Sequence, residues 1–427
     1  MTKQRGFAVF YGAILTVVTL VAIEAIASFF VPPWPARALR SIELASTTPD
    51  SSSLVYDKRA PVQSYNSWGM YDRERTLGKS VSVRFRSVFV GDSILEFALS
   101  RWTLPASVER QFAEAGVEDF EAVNLSISGT DPKSYYYRVH DIALGLSPDA
   151  IVVSFFSGND FMTADQAYST FKIPPLVDES PGASLLGSVM PRTNWLIVNR
   201  LRLSEFLRSN VPIPNELKTL NDIVQGPPQD RIPRLVAHMR RYYYPSASEE
   251  QLSEILSRGG EAFWRTFKPR EIGQEYLMGW LVNLILKSEL DASRYHSARN
   301  MEDAAHIVSD DSVQATLSWL SAMDRATRAA GVPLLLMLVP APIVDPDFVE
   351  FWKLWPGYLS WFLICEESQD RLVAMLRKTP IRFFDLRDDL RGVRGAYRKS
   401  DGHWTEKGVE IAADRARAEL TKLMKPE

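Results

Sequence analysis

Two short apolar runs in this chain each end on a turn carrying reactive side chains. Val88-Phe89-Val90 leads directly into Gly91-Asp92-Ser93, and the run 151–156 leads into Ser157-Gly158-Asn159-Asp160. Short, continuous apolar runs of this kind suit strands of a parallel sheet buried on both faces. The same pattern predicts strands at 87–90, 120–124, 150–156, 333–339 and 381–385. Helical patterns lie between them over 94–115, 132–146, 312–329 and 364–377, and from Thr405 to the end. Such alternation implies an α/β fold, a doubly wound parallel sheet with right-handed crossovers. Ligands of such sheets bind at the carboxyl ends of the strands, where both polar turns fall.

A third polar segment, Asp401-Gly402-His403-Trp404, precedes the last helical pattern. Ser93, placed at the start of a helix, is a candidate nucleophile, and it needs a base to take its proton. His403 is the candidate base, with Asp401 the carboxylate that would fix its tautomer and orientation. With one residue between them, Asp401 and His403 can meet at one imidazole only from an irregular turn, which Gly402 suits. Asn159, with backbone N–H groups, is a candidate donor to an oxyanion. Taken singly, each segment also fits an ordinary role: Gly-Asp-Ser as a helix cap, Gly-Asn-Asp as turn chemistry, Asp-x-His as a surface turn.

Together the segments resemble the SGNH (GDSL) hydrolase superfamily, whose members place four motif blocks along a flavodoxin-like sheet. Gly91-Asp92-Ser93 matches the first block, with Ser93 as nucleophile and its N–H in the oxyanion hole. Asn124 to Thr130 matches the second, with Gly129 as oxyanion donor, and Ser157-Gly158-Asn159-Asp160 the third, with Asn159 as the other donor. The last block supplies Asp401 and His403. The resemblance covers roughly residues 66–160 and 332–420. It departs from the commoner Asp-x-x-His spacing. The segment from Tyr397 to Thr405 is similar instead to the Asp-x-His-Trp segment of the alginate-acetyltransferase-type branch, where it precedes the serine. Asn66-Ser67-Trp68-Gly69-Met70-Tyr71-Asp72 resembles the lead-in of membrane-anchored, envelope-polysaccharide members; a simple surface turn at Gly69 explains it equally well.

At 427 residues the chain can hold one large α/β domain with an insertion, and its net charge of −3 gives no electrostatic reason to expect nucleic acid as a partner. One cysteine, Cys365, excludes an intrachain disulfide and reads as a buried thiol; the five histidines lack paired ligand spacing, so neither metal nor cofactor is expected. Lys3 and Arg5 precede an apolar run over 7–31, broken at Glu24, that stops at Pro32-Pro33. Its roughly 25 residues are long enough to span a bilayer, with residues 1–6 cytoplasmic and the catalytic body extracytoplasmic, periplasmic in a two-membrane envelope. Ala25-Ile26-Ala27 before Ser28 offers the competing reading of a cleaved signal. Residues 41–65, rich in Ser, Thr and Pro, read as a tether within a lead-in over 32–80, ahead of the catalytic domain at 81–427.

An insertion over 162–310 contains helical stretches at 195–207 and 276–286 and fits a lid or a structural subdomain. The aromatic segment Phe348, Phe351, Trp352, Trp355, Tyr358, Trp361 and Phe362 suits sugar stacking, a membrane interface or packing against that insertion. The function implied is a membrane-anchored serine ester hydrolase or O-acyltransferase acting on O-acyl, chiefly acetyl, esters of envelope carbohydrate. The alternative is a non-catalytic accessory subunit that binds polysaccharide or docks on a membrane-bound O-acyltransferase.

Overall fold

The structure, a computed structural model, describes residues 18–23, 56–62, 66, 68–96, 102–168, 216–266, 272–291, 297–399 and 402–424. The chain divides into two units, Met1–Ser46 with Pro174–Asn215, and Thr47–Ile173 with Glu216–Glu427. Part of the predicted insertion thus belongs to a different unit from the sheet. In the first unit only 18–23 are described, a helical piece of the N-terminal apolar run on which Val18, Leu20, Val21 and Ile23 are exposed. Among the described residues no helix is long and apolar enough to cross a membrane. The rest of the run 7–31 and the stretch 195–207 lie outside the described residues.

The second unit is built on five parallel strands, β1 (Phe85–Val90), β2 (Phe120–Asn124), β3 (Ala150–Phe156), β4 (Leu334–Val339) and β5 (Arg382–Asp385). Their order is β2-β1-β3-β4-β5, the flavodoxin-like arrangement. Val88 sits opposite Val123 on one side and Ile151 on the other. β1, β2 and β4 are buried throughout, while the edge strand β5 exposes Arg382 and buries Phe384. The apolar runs are continuous because the inner strands have no wet face.

The helices are α1 (Ser93–Glu96), α2 (Leu104–Glu114), α3 (Pro132–Asp141), α4 (Glu216–Val224), α5 (Pro228–Tyr242), α6 (Glu249–Ser257), α7 (Gly260–Thr266), α8 (Ile272–Leu290), α9 (Met301–Ile307), α10 (Asp310–Ala329), α11 (Pro346–Trp352), α12 (Pro356–Leu376), α13 (Arg387–Leu390) and α14 (Glu406–Met424). α2 packs on α14 and β2, whereas α3 packs on α10, β1 and β3. Start signals are local. Asp131 caps α3, its carboxylate accepting from Ser134 N at 2.9 Å with Pro132 following; such a cap contributes about 1 kcal/mol. α12 begins eight residues before the predicted 364, because Pro356 at its first turn starts a helix that takes in the end of the aromatic run, Tyr358, Trp361 and Phe362. Phe348, Trp352 and Trp355 are fully buried, so the aromatic segment is packing material and not a stacking or membrane surface.

The lead-in is not a surface turn, and the end of the expected tether is not loose. Asn66 Oδ1 accepts from Trp68 N and Met70 N, each at 3.0 Å, and Gly69 turns at φ +76°. Trp68, Met70 and Asp72 are buried. Arg75, fully buried, forms a two-point ion pair with Asp72 (2.9 and 2.8 Å) and reaches Glu109 at 3.0 Å and Glu121 at 3.4 Å. Arg73 joins Glu109 at 2.8 Å, Arg86 joins Glu121 at 2.5 Å, and the Tyr56 hydroxyl donates to Glu109 at 3.1 Å. Hydrophobic patterning cannot foresee such a cluster, since each charge is tolerable only once its partners arrive.

Removing one member of this network leaves the others buried and uncompensated. Arg75→Met is expected to lower stability by about 3–5 kcal/mol at neutral pH. Equilibrium urea denaturation measures this, and a change under about 1 kcal/mol would show that the buried acids find other partners or water.

Candidate active site

The strand order reverses between β1 and β3, so the chain leaves their adjacent carboxyl ends in different directions and opens a crevice there. Gly91 is squeezed at this edge: a Cβ would lie 3.0 Å from both Leu95 Cδ1 and Ser154 Cβ. Asp92, fully buried, accepts from Ile94 N at 3.0 Å and so shapes the turn into α1. Ser93 opens α1 half-exposed, and His403 Nε2 lies 2.9 Å from its Oγ. That distance is a hydrogen bond between a hydroxyl and an imidazole from opposite ends of the chain.

A tight reversal after β5 holds His403. Tyr397 and Trp404 pair antiparallel, Arg398 N donates to His403 O at 2.7 Å, and Gly402 N donates to Arg398 O at 3.0 Å. Gly402 has φ +73°, the backbone form that favours glycine. Asp345, buried, accepts from Gly395 N at 3.1 Å and Tyr397 N at 3.0 Å, while the Tyr397 hydroxyl donates to Pro340 O at 2.7 Å. At the start of α14, Gly408 lies so close that a Cβ would fall 2.3 Å from Ala396 O. Asp401 lies outside the described residues, and with it the expected carboxylate contact to His403.

The second-block turn comes back to the same edge. Leu125 N donates to Phe89 O at 2.8 Å and Ile127 N to Gly91 O at 3.2 Å, extending the β1–β2 pairing past the strand. Ser128 N then donates to the buried Glu96 of α1 at 2.6 Å, and Gly129 follows, exposed, at φ +72°. Helix α1 and the Gly129 turn are therefore bonded directly. Asn124 accepts from Ser126 N at 3.0 Å, donates to Tyr71 O at 3.1 Å, and gives its own N–H to Asp72 at 2.9 Å. The lead-in thereby anchors this turn. Asn159, after β3, donates from Nδ2 to Asp92 Oδ2 at 3.0 Å, which puts its amide on the Ser93 side of the sheet edge.

Beneath these turns sits a group of buried charges. Arg138 donates to Gly91 O at 3.0 Å, Leu125 O at 2.8 Å and Thr130 Oγ1 at 2.6 Å, joining the first and second blocks. Burial brings its pKa down to about 10, which leaves it charged at neutral pH. Burial also raises Asp92, opposed by the Ile94 N–H, the Asn159 amide and the charge of His403. Asp160 accepts from Phe156 N at 2.7 Å and from the Tyr135 hydroxyl at 2.9 Å. Burial, and then the charge on Asp92, push its carboxyl well above the ordinary range. The sequence reading gave no role to Glu96, Tyr135, Arg138 or Asp160. Only Arg138 left a trace, a cation directly after three tyrosines on a helix capped by Asp131.

No family profile and no curated protein matches the sequence. Among solved structures, the chain is similar to a proposed acylhydrolase from Bacteroides fragilis NCTC 9343, at 12% identity and TM-score 0.32, covering 80% of this chain and 88% of that one. It is also similar to a GDSL-like lipase from Bacteroides thetaiotaomicron VPI-5482, at 11% identity and TM-score 0.33, covering 81% and 91%. Likenesses this remote carry no weight for the chemistry, which rests on the geometry above.

A carboxyl with a raised folded pKa holds its proton more tightly in the folded protein than in the unfolded chain. The stability it supports is present at acid pH and is lost as pH rises through the folded value. Asp160→Asn removes that titration while keeping an oxygen to accept from Phe156 N. The melting temperature of the variant, relative to the parent, is expected to rise steadily from mildly acidic to alkaline pH; parallel melting curves across that range would remove Asp160 as the cause.

Proposed function

We propose that this protein transfers acyl groups from O-acyl esters through an acyl-serine on Ser93. The observation that carries the reading is the 2.9 Å contact between His403 Nε2 and Ser93 Oγ at the reversal point of the sheet. In its neutral form with the proton on Nδ1, the imidazole presents an acceptor at Nε2, as a general base for serine must. Ser93 Oγ attacks the acyl carbonyl, its proton passes to His403 Nε2, and the carbonyl oxygen becomes an oxyanion. Donors for that oxyanion are the N–H groups of Ser93 and Gly129 and the Asn159 amide. Nδ2 of Asn159 carries two hydrogens, and the bond to Asp92 uses one of them. His403 then gives its proton to the leaving alcohol. In the second half-reaction it takes one from water or from a sugar hydroxyl as that oxygen attacks the acyl carbon; the bond from the acyl group to Ser93 Oγ then breaks, and His403 returns the proton to Oγ. Asp401 is assigned to orient His403.

The substrate class, acetyl esters of envelope carbohydrate, follows from the resemblance of the lead-in and of the Asp-x-His-Trp segment. An N-terminal anchor over 7–31, with the catalytic unit outside the cytoplasm, follows from the length and apolarity of that run. An accessory subunit that only binds polysaccharide, or docks on a membrane-bound O-acyltransferase, gives no reason to set an imidazole against a serine hydroxyl.

Turnover of a chromogenic acetyl ester, with and without a carbohydrate acceptor, tests the reaction and separates hydrolysis from transfer. Ser93→Ala is expected to abolish turnover and leave the melting temperature nearly unchanged; wild-type-like turnover in that variant would remove Ser93 from the mechanism. Asn159→Ala is expected to lower kcat by about a hundredfold.

Anchoring has its own check. The protein is expected to stay with membranes through a high-salt wash, because burial of an apolar span does not depend on charge. A mature N-terminus at Ser28 would replace the anchor with a cleaved signal.

A further inference from the structure

Three indoles in the aromatic segment each donate to a backbone carbonyl, and the three carbonyls belong to different parts of the molecule. Trp361 Nε1 donates to Gly158 O at 3.1 Å, Trp352 Nε1 to Lys399 O at 2.8 Å, and Trp355 Nε1 to Ile255 O at 2.8 Å. Gly158 immediately precedes Asn159. Lys399 belongs to the reversal that presents His403, while Ile255 is in α6 of the insertion. Two of the three bonds thus end on the separate chain segments that supply the oxyanion amide and the base.

The peptide between Gly158 and Asn159 is held at both ends. Its carbonyl accepts from Trp361, and its N–H donates to Phe156 O at 3.2 Å. A planar peptide fixed at both poles cannot rotate, so the direction in which Asn159 leaves the backbone is set before substrate arrives. Gly158 has no spare room either, since a Cβ would meet the Phe156 ring at 2.5 Å. On the other side, the Lys399 carbonyl tied to Trp352 lies one residue past Arg398, whose N–H and carbonyl both bond within the His403 turn. Trp352 is fully buried, so its indole is held in place by the surrounding packing.

We propose that Trp361 and Trp352 are positioning residues for the two halves of the site, Trp361 acting through Asn159 and Trp352 through the His403 turn. Trp355 makes the same kind of bond without serving the reaction. The proposal rests on the acyl-transfer reading of Ser93 and His403. Misplacing a reacting group by a fraction of an ångström slows the chemical step more than it weakens substrate binding, so the effect belongs in kcat and not in KM.

The test replaces each tryptophan by phenylalanine in the full chain and measures kcat, KM and melting temperature with a chromogenic acetyl ester. Trp361→Phe and Trp352→Phe are expected to lower kcat by about tenfold, with KM changed by less than about twofold, and Trp355→Phe to leave kcat within about twofold. In an Asn159→Ala background, Trp361→Phe should cause no further loss, whereas Trp352→Phe should keep its full effect. Unchanged kcat in Trp361→Phe, the same fractional loss in the Asn159→Ala background, or an equal loss in Trp355→Phe would each overturn the proposal. If Trp361→Phe does not fold, Trp361→Tyr takes its place in the cycle with the same outcomes. Absence of turnover in the unmutated protein overturns the acyl-transfer reading itself, a result distinct from turnover that ignores Trp361.

Discussion

The reversal of strand order at β1 and β3 is the constraint from which the rest of the structure takes its form. Parallel strands bring all their carboxyl ends to one edge, and crossovers leaving adjacent strands in different directions keep that edge open. Ser93 and Asn159 reach the opening because each follows a strand at this point. His403 comes from farther along the sequence, past β5, and a turn built on Tyr397, Gly402 and Trp404 brings it to the same place. A catalytic group on any other edge of the sheet would need a long loop to come so close.

An open edge has a cost: its backbone carbonyls and N–H groups lose their ladder partners. Arg138 takes up the carbonyls of Gly91 and Leu125, and Glu96 takes the N–H of Ser128. Each of these charges is itself buried and needs an opposite charge or dipole nearby. Burial opposes the charge on Arg138, and Tyr135, Asp92 and Asp131 nearby favour it. Stability and placement of the site are therefore set by the same few buried polar groups, and the raised carboxyl of Asp160 makes the folded state sensitive to pH.

The sheet was legible because each inner strand is mostly apolar, and β1 and β3 close on polar turns. The 120–124 and 150–156 strands fall where the pattern put them, and the others are off by one or two residues. The aromatic run 348–362 was not legible. Aromatic side chains suit a core, a sugar or a lipid surface equally, and only burial separates those uses. Pro356 was the available clue to the start of α12. Buried charge was the least visible of all. The pairing of Arg75 and Arg86 with Glu109 and Glu121 left no sign, because the partners lie tens of residues apart and pairing at that range leaves no local pattern. Among the site residues, Ser93 and His403 are brought into contact and Asn159 lies on the same side of the sheet edge, while Asp401 lies outside the described residues.

The approach of Gly408 to Ala396 has a bearing on ancestry. Backbone touches backbone there, and a β-carbon at 408 would fall well inside the radius of the carbonyl oxygen. A chain that carries its histidine on the same reversal must also keep a glycine one helical turn after the tryptophan, whatever else has drifted. The spacing Gly402-His403-Trp404, then Gly408, is thus a filter made of sterics rather than chemistry.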